Sequence, residues 1–231
     1  MDVKEETMAA FELFDARKQA STIEVAELPQ ASVLVPLFVR SGKIHTLMTQ
    51  RSEQVTATYS GPKLRVGAGE VCFPGGKRDP SDKDEVHTAL REAHEEIGLL
   101  PGDVHVTCKL LPIISKNAII VTPVVGFIPD SFRAHPSPAE VSAVFTVPLD
   151  LFIGPTASPK ATLVPSLSFD FVEPHTGARY HIWGLTAMVA FVVASIALKT
   201  KAKGHETFNA EGLMSMLRQR LEQRTRTPSK L

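Results

Sequence analysis

Three glutamates crowd into a six-residue stretch, Arg91-Glu92-Ala93-His94-Glu95-Glu96, fifteen residues after a pair of glycines, Gly75 and Gly76. On a helix, Glu92 and Glu96 stand four apart on one face, where like charges repel. Glu95 is three from Glu92 and borders that face. They also lie in the C-terminal half of the segment, where the helix dipole disfavours anions. A solvated acidic face is the ordinary reading of a charge run, but it leaves both penalties unrelieved. A divalent cation relieves them. Mg2+ or Mn2+ takes hard oxygen ligands and keeps coordination positions for water and phosphate oxygens. Glycines beside such a cluster let backbone approach a ligand closely. The chemistry this composition suits is the handling of a metal-bound diphosphate on carboxylates that share one helix face. Arg91 is expected to act as a guanidinium fork that fixes a carboxylate or a loop carbonyl.

These side chains need a helix, and the sequence supplies its pattern. Val86, Ala89, Leu90, Ala93 and Ile97 fall on one stripe at 3.6 residues per turn, ready to pack on a sheet. The helix is predicted over about Lys83 to Ile97, and Gly98 stands where a left-handed residue closes a helix. Upstream, SVLVPLFVR and KIHTLMTQ are β-rich runs about a turn-prone SGK, which predicts a hairpin. The stretch SEQVTATYSGPKLRVGAGEV reads as a loop. Downstream, VHVTCKLLPIIS, AIIVTPVVGFI and VSAVFTVPL read as strands, and LSFDFVE and ARYHIWG as a second hairpin around PHTG. Helices are expected in the charged N-terminal segment, from about Leu185, and from about Ala210 to Gln223. Strands in series with a helix between them indicate an α+β chain or an α/β/α sandwich.

At 231 residues the chain has room for one sizeable core rather than two ordinary domains. Basic and acidic residues balance at 25 each, so no whole-chain field draws it to nucleic acid or to an anionic membrane. Cys72 and Cys108 form no disulfide framework and read as small buried residues. The N-terminus lacks the apolar run of a secretory signal. The uncharged run Ile182 to Leu198, 17 residues long, only touches the lower limit of a membrane span and reads as a core helix. Ser229-Lys230-Leu231 at the end spell a receptor-read peroxisomal address, behind a polar tail. The organisation expected is an N-terminal helical extension over 1–28, one domain over 29–224 and a tail over 225–231.

Gly76, followed by Arg91-Glu92-Ala93-His94-Glu95-Glu96-Ile97-Gly98-Leu99, resembles the Nudix box, G-x5-E-x7-R-E-U-x-E-E-x-G-U with U apolar. The second half matches throughout. The middle departs from the pattern: one extra residue lies between Gly76 and Arg91, and an acidic cluster (Asp79, Asp82, Asp84, Glu85) replaces the isolated glutamate, with Asp82 taking its place by position. A second pattern resembles the coenzyme A diphosphatase branch of that family, L-L-T-x-R-[SA]-x3-R-x3-G-x3-F-P-G-G. Leu47 to Ser52 match its first part; Arg65, Gly69 and Phe73 to Gly76 match its second. Twelve residues separate Ser52 from Arg65 where the pattern has three, so nine are inserted.

The resemblance implies a Nudix-type α/β/α sandwich with a mixed central sheet. It also implies cleavage of the diphosphate of coenzyme A or acyl-coenzyme A, with Mg2+ or Mn2+ on Glu92, Glu95 and Glu96. Arg91, Glu92 and Glu95 would be catalytic, with Glu92 and Glu96 as primary metal ligands and Glu95 as a further ligand or a base, and Arg51, Arg65, Gly75 and Gly76 would meet the substrate. With the terminal tripeptide it further implies a peroxisomal location and an import receptor as partner. Glu140 is an alternative source of the base; a surface glutamate is its plainer reading. Two alternatives stay open: a Nudix enzyme for another nucleoside diphosphate derivative, such as NADH or a capped nucleotide, and a catalytically silent binding module of the same fold.

Overall fold

The computed structural model describes residues 2–18, 28–53, 69–115, 117–154 and 167–199, with isolated helical positions at 212, 215, 218 and 219. Arg65, the nine-residue insertion, the terminal tripeptide and nearly all of the helix expected after Ala210 lie outside the described residues.

A mixed sheet forms the middle layer. Strand β1 (Gln30–Arg40) turns through Ser41 and Gly42, both at positive φ, into β2 (Lys43–Arg51). Then come β3 (Val71–Cys72), β4 (Gly75–Lys77), helix α2 (Glu85–Ile97), β5 (His105–Lys109), β6 (Ile113–Ile114), β7 (Ile120–Phe127) and β8 (Val141–Pro148). The order across the sheet is β3-β2-β1-β7-β5, with β4 on β1, β6 on β7 and β8 on β2. β1 and β7 run parallel, from Gln30 opposite Ile120 to Leu37 opposite Phe127, while the other pairs are antiparallel. The strand run expected after Val104 is divided, because β5 and β6 each pair with a different part of β7.

The central strands are apolar on both faces, as a sheet covered on both sides requires. Leu34, Phe38, Leu47 and Val124 meet Ala89, Ala93 and Ile97 of α2 on one side. Val35, Leu37, Met48 and Val125 belong to the larger core on the other side. That core is closed by Phe11 of α1 (Val3–Glu12) and by α3 (Gly184–Ala197). Two helical layers about a mixed sheet make an α/β/α sandwich. A separate hairpin, β9 (Ser168–Val172) with β10 (Arg179–Trp183), runs into α3. β10 therefore takes Ile182 and Trp183 from the uncharged run, and α3 keeps 14 residues. Among the described residues, no helix is long and apolar enough to cross a membrane.

α2 begins two residues later than the expected Lys83, because Asp84 is its cap and accepts a hydrogen bond from the backbone N–H of His87 at 2.8 Å. It ends at Gly98, whose φ of 70° is left-handed and costs a glycine little.

Candidate active site

The glycine pair and the glutamates meet where β4 lies between β1 and α2. Gly75 pairs with Val33, and Gly76 with Ser32. The N–H of Gly75 donates to Oε2 of Glu96 at 3.1 Å. At Gly76 any Cβ would collide with the carboxylate of Glu92, so that glycine leaves the space the carboxylate occupies. At Gly75, φ is 157° and a Cβ would strike the carbonyl of Ser32 and lie 2.6 Å from Cα of Val33. Both glycines are therefore required by close approach, one to a strand and the other to a carboxylate.

Arg91 is tied on several sides. Its Nε and Nη2 grip both oxygens of Asp82 at 3.0 Å, Nη2 also donates to the carbonyl of Lys77 at 3.0 Å, and its nitrogens pair with Glu92 and Glu95 at 3.0 Å. Of the acidic cluster, Asp82 is the residue that meets Arg91. It is buried, and it also receives Thr88 Oγ1 and the N–H of Asp79 at 2.9 Å, with His87 Nδ1 2.9 Å away. The hydrogen bonds from Arg91, aided by those from Asp79 and Thr88, hold its carboxyl far below the usual carboxylate range despite burial. The resulting tether fastens the loop after β4 to the first turns of α2.

The three glutamates occupy different surroundings. Glu96 is only 3% exposed, and burial pushes its carboxyl up to about 7, against the Gly75 N–H and the positive charge of Arg51. Glu92 is half-buried and is also raised, by burial first, with Arg91 opposing. Glu95 is about half exposed and turns to Arg91. Among the described residues, no three His, Cys, Asp or Glu converge as a ready metal cage. Glu92 and Glu96 nonetheless fit a divalent cation: they offer hard oxygens, they are desolvated, and neighbouring carboxylates, Glu140 beside both and Glu92 beside Glu96, favour positive charge there. Mg2+ is usually held by one or two carboxylates with substrate phosphates, and two are present here.

Arg51, at the end of β2, lies close enough to lower the carboxyl of Glu96 and to oppose the rise of the Cys72 thiol. Glu140 is exposed on the turn before β8 and raises both Glu92 and Glu96, so it faces the same pair. The loop carrying it is hooked to the end of α2: the N–H groups of His135 and Ser137 donate to the carbonyls of Ile97 and Glu96, each at 2.9 Å. No local sequence signal announces that hook, because it joins residues about 40 apart. Burial drives the thiol of Cys108 up to about 12 and raises that of Cys72, which fits inert rather than nucleophilic cysteines.

A glycine-bearing strand feeding a helix with one buried and one half-buried glutamate, on one side of a mixed sandwich, defines a class. The NUDIX domain family profile matches residues 28–167, and the chain belongs to that family of hydrolases. It is 45% identical over 174 residues to the mouse protein named peroxisomal coenzyme A diphosphatase NUDT7, covering 73% of this chain and 70% of that one. It is 37% identical over 174 residues to Nudix hydrolase 15, mitochondrial, of Arabidopsis thaliana, covering 72% of this chain and 58% of that protein. Among solved structures, a C. elegans Ap4A hydrolase binary complex aligns at 21% identity with a TM-score of 0.42, over 53% of this chain and 82% of that one.

Proposed function

We propose that this chain is a divalent-cation-dependent hydrolase. It would cleave the diphosphate of coenzyme A and acyl-coenzyme A to 3′,5′-ADP and 4′-phosphopantetheine or its acyl form. The observation that carries the reading is the desolvated pair Glu92 and Glu96 set against the Gly75–Gly76 strand. The upstream motif and the name of the mouse relative support the choice of substrate.

In this reading Glu92 and Glu96 hold Mg2+ or Mn2+, and Glu95 joins as a further ligand or as the base once it leaves Arg91. When bound, the cation neutralises diphosphate charge and makes water a better nucleophile. The chain's own residues do the rest. Gly75 donates its N–H to Glu96, and Gly76 leaves room for the carboxylate of Glu92. Arg91, braced by Asp82 and Lys77, holds Glu92 in place. Arg51, and Arg65 from the motif, offer planar guanidinium groups to phosphate oxygens. Glu95 or Glu140 accepts the proton of the attacking water. The water oxygen forms the new P–O bond, the bridging P–O bond breaks, and the released phosphate carries the bridging oxygen away.

The test is to incubate purified protein with coenzyme A, acetyl-coenzyme A and NADH, with and without Mg2+, and to weigh the products. 3′,5′-ADP from the first two alone is expected; cleavage of NADH instead would replace this reading. Glu96→Gln should abolish turnover yet raise the stability of the metal-free protein by about 1–3 kcal/mol at pH 8, because a buried charge is removed. Full activity in that variant would contradict the role of Glu96.

The peroxisomal relative and the tripeptide Ser229-Lys230-Leu231 support import through the receptor that reads it. A fluorescent fusion lacking the tripeptide should stay in the cytosol, and an unchanged punctate signal would refute the address.

A further inference from the structure

β8 carries one residue too many opposite the end of β2. Gln50 pairs with Ala143 and Arg51 with Val141, so Ser142 has no partner of its own and the strand bulges there. A bulge bends its strand and re-aims nearby side chains, and bulges gather beside active sites. Here the gap in the ladder is closed by a side chain. Ser142 Oγ lies 3.2 Å from the carbonyl oxygen of Gln50 and 3.3 Å from that of Arg51, and its single proton is shared between them.

The surrounding backbone shows what this bridge controls. From Ser137 to Ser142 the chain runs from the C-terminus of the glutamate helix to the end of the strand bearing Arg51. At the helix end, Ser137 N–H donates to the carbonyl of Glu96. A tight turn follows, in which the N–H groups of Glu140 and Val141 donate to the carbonyl of Ser137 at 3.0 and 2.8 Å. At the strand end, the N–H of Ser52 donates to the carbonyl of Glu140 at 2.8 Å. The short span therefore fixes the separation between Glu96 and Arg51, and it carries Glu140 between them. Arg51 is also held from the opposite side, with its N–H on the carbonyl of Glu70 at 2.9 Å and its carbonyl receiving Gly69 N–H at 3.1 Å. An exposed serine on a strand usually does nothing of this kind; this one holds the carbonyl of the arginine whose charge reaches Glu96.

We propose that Ser142 is a positioning residue, whose hydroxyl, bridging the Gln50 and Arg51 carbonyls across the bulge, sets the reach of Arg51 and Glu140 to the Glu92–Glu96 pair. The effect on turnover rests on the coenzyme A reading above; the effect on Arg51 does not.

The experiment compares Ser142→Ala, Ser142→Thr, Arg51→Ala and the double variant Ser142→Ala with Arg51→Ala, in the full chain. Steady-state kinetics with coenzyme A and Mg2+ should show KM raised about three- to tenfold in Ser142→Ala, as for one lost hydrogen bond, with a smaller change in kcat. Ser142→Thr keeps the hydroxyl and suits a strand, so it should restore KM. In the Arg51→Ala background, Ser142→Ala should add nothing, because the two act through one group. Thermal midpoints within a few degrees of wild type exclude a merely structural loss. A wild-type KM in Ser142→Ala, no rescue by threonine, or effects that multiply with those of Arg51→Ala would each overturn the proposal. A second readout needs no substrate: the Arg51 Nε–H resonance, assigned by its loss in Arg51→Lys, should shift or broaden in Ser142→Ala and return in Ser142→Thr. If the wild type leaves coenzyme A intact, the coenzyme A reading fails, and this resonance alone decides the role of Ser142; an unmoved resonance rejects it.

Discussion

Asp82 is worth more than its place in an irregular acidic run suggests. Its buried carboxylate joins Arg91, Thr88 and the Asp79 backbone, and Arg91 in turn holds Glu92 and the Lys77 carbonyl. Removing one partner of such a pair strands the other, so Asp82→Asn should cost about 3 kcal/mol at pH 7. The pH dependence follows from the direction of the shift. The folded carboxyl sits below its unfolded value, so the stabilisation is complete above about pH 4, the unfolded range, and fades as pH falls toward the lower folded value. Urea unfolding of wild type and variant at pH 7 and pH 3 should therefore show the gap narrowing in acid. A gap equally wide at both pH values would mean that the cost comes from packing rather than charge. Among the glutamates, Glu96 shows the opposite balance, with desolvation outweighing its single backbone donor and the charge of Arg51.

Strand β4 is three residues long, yet it determines whether the site exists. It lies against β1 on one side, and Gly76 and the N–H of Gly75 face α2 on the other. Gly75→Ala would push a methyl group into the backbone of Ser32 and Val33, at a φ of 157° that L-residues rarely adopt. We expect a loss of about 2–4 kcal/mol together with most activity, because the Gly75 N–H leaves Glu96 as β4 moves. Gly42→Ala, at a φ of 73° in the open turn between β1 and β2, has nothing within 4 Å of its added carbon. It should cost only about 1 kcal/mol and leave turnover intact. Thermal melts and initial rates on the two variants separate close approach from backbone strain. Equal losses in both would show that strain alone explains Gly75.

For the molecule as a whole, β5 is the end strand of its sheet among the described residues, and its outer side needs a cover, since an unpaired strand edge invites another chain. The segment after α1 supplies one with side chains. Asp15 Oδ1 accepts the N–H of Lys109 at 3.1 Å, and Arg17 Nη2 donates to the carbonyl of Thr107 at 2.8 Å. Arg17 and Asp15 also pair at 2.8 Å, with the Asp15 side chain 1% exposed. Lys109 then reaches Glu85 in the first turn of α2 at 3.1 Å, so the N-terminal segment, the sheet edge and the glutamate helix are joined in series. The double variant Asp15→Ala with Arg17→Ala should bare the edge and associate in a concentration-dependent way, read by light scattering after size exclusion. A monomer of unchanged mass at every concentration would show that the edge is protected by other means.

What the sequence by itself determined is local. The spacing of Ala89, Ala93 and Ile97 placed α2 on a sheet, Gly98 marked its end, and the glutamates followed on its remaining face, because helical neighbours are fixed by 3.6 residues per turn. The bond of Arg91 to a carboxylate or a loop carbonyl was legible for the same reason, and the structure supplies both. The tertiary structure decided which glutamate is buried, since that depends on where β4 lies against α2. It also decided that β5 and β6 are separate, and that Arg51, Glu140 and Ser142 gather at one corner. Arg51 lies about 90 positions before Glu140 and Ser142 along the chain. Their meeting depends on strand order, a bulge and a loop hooked to a helix end, and none of these leaves a periodic trace in the residues themselves.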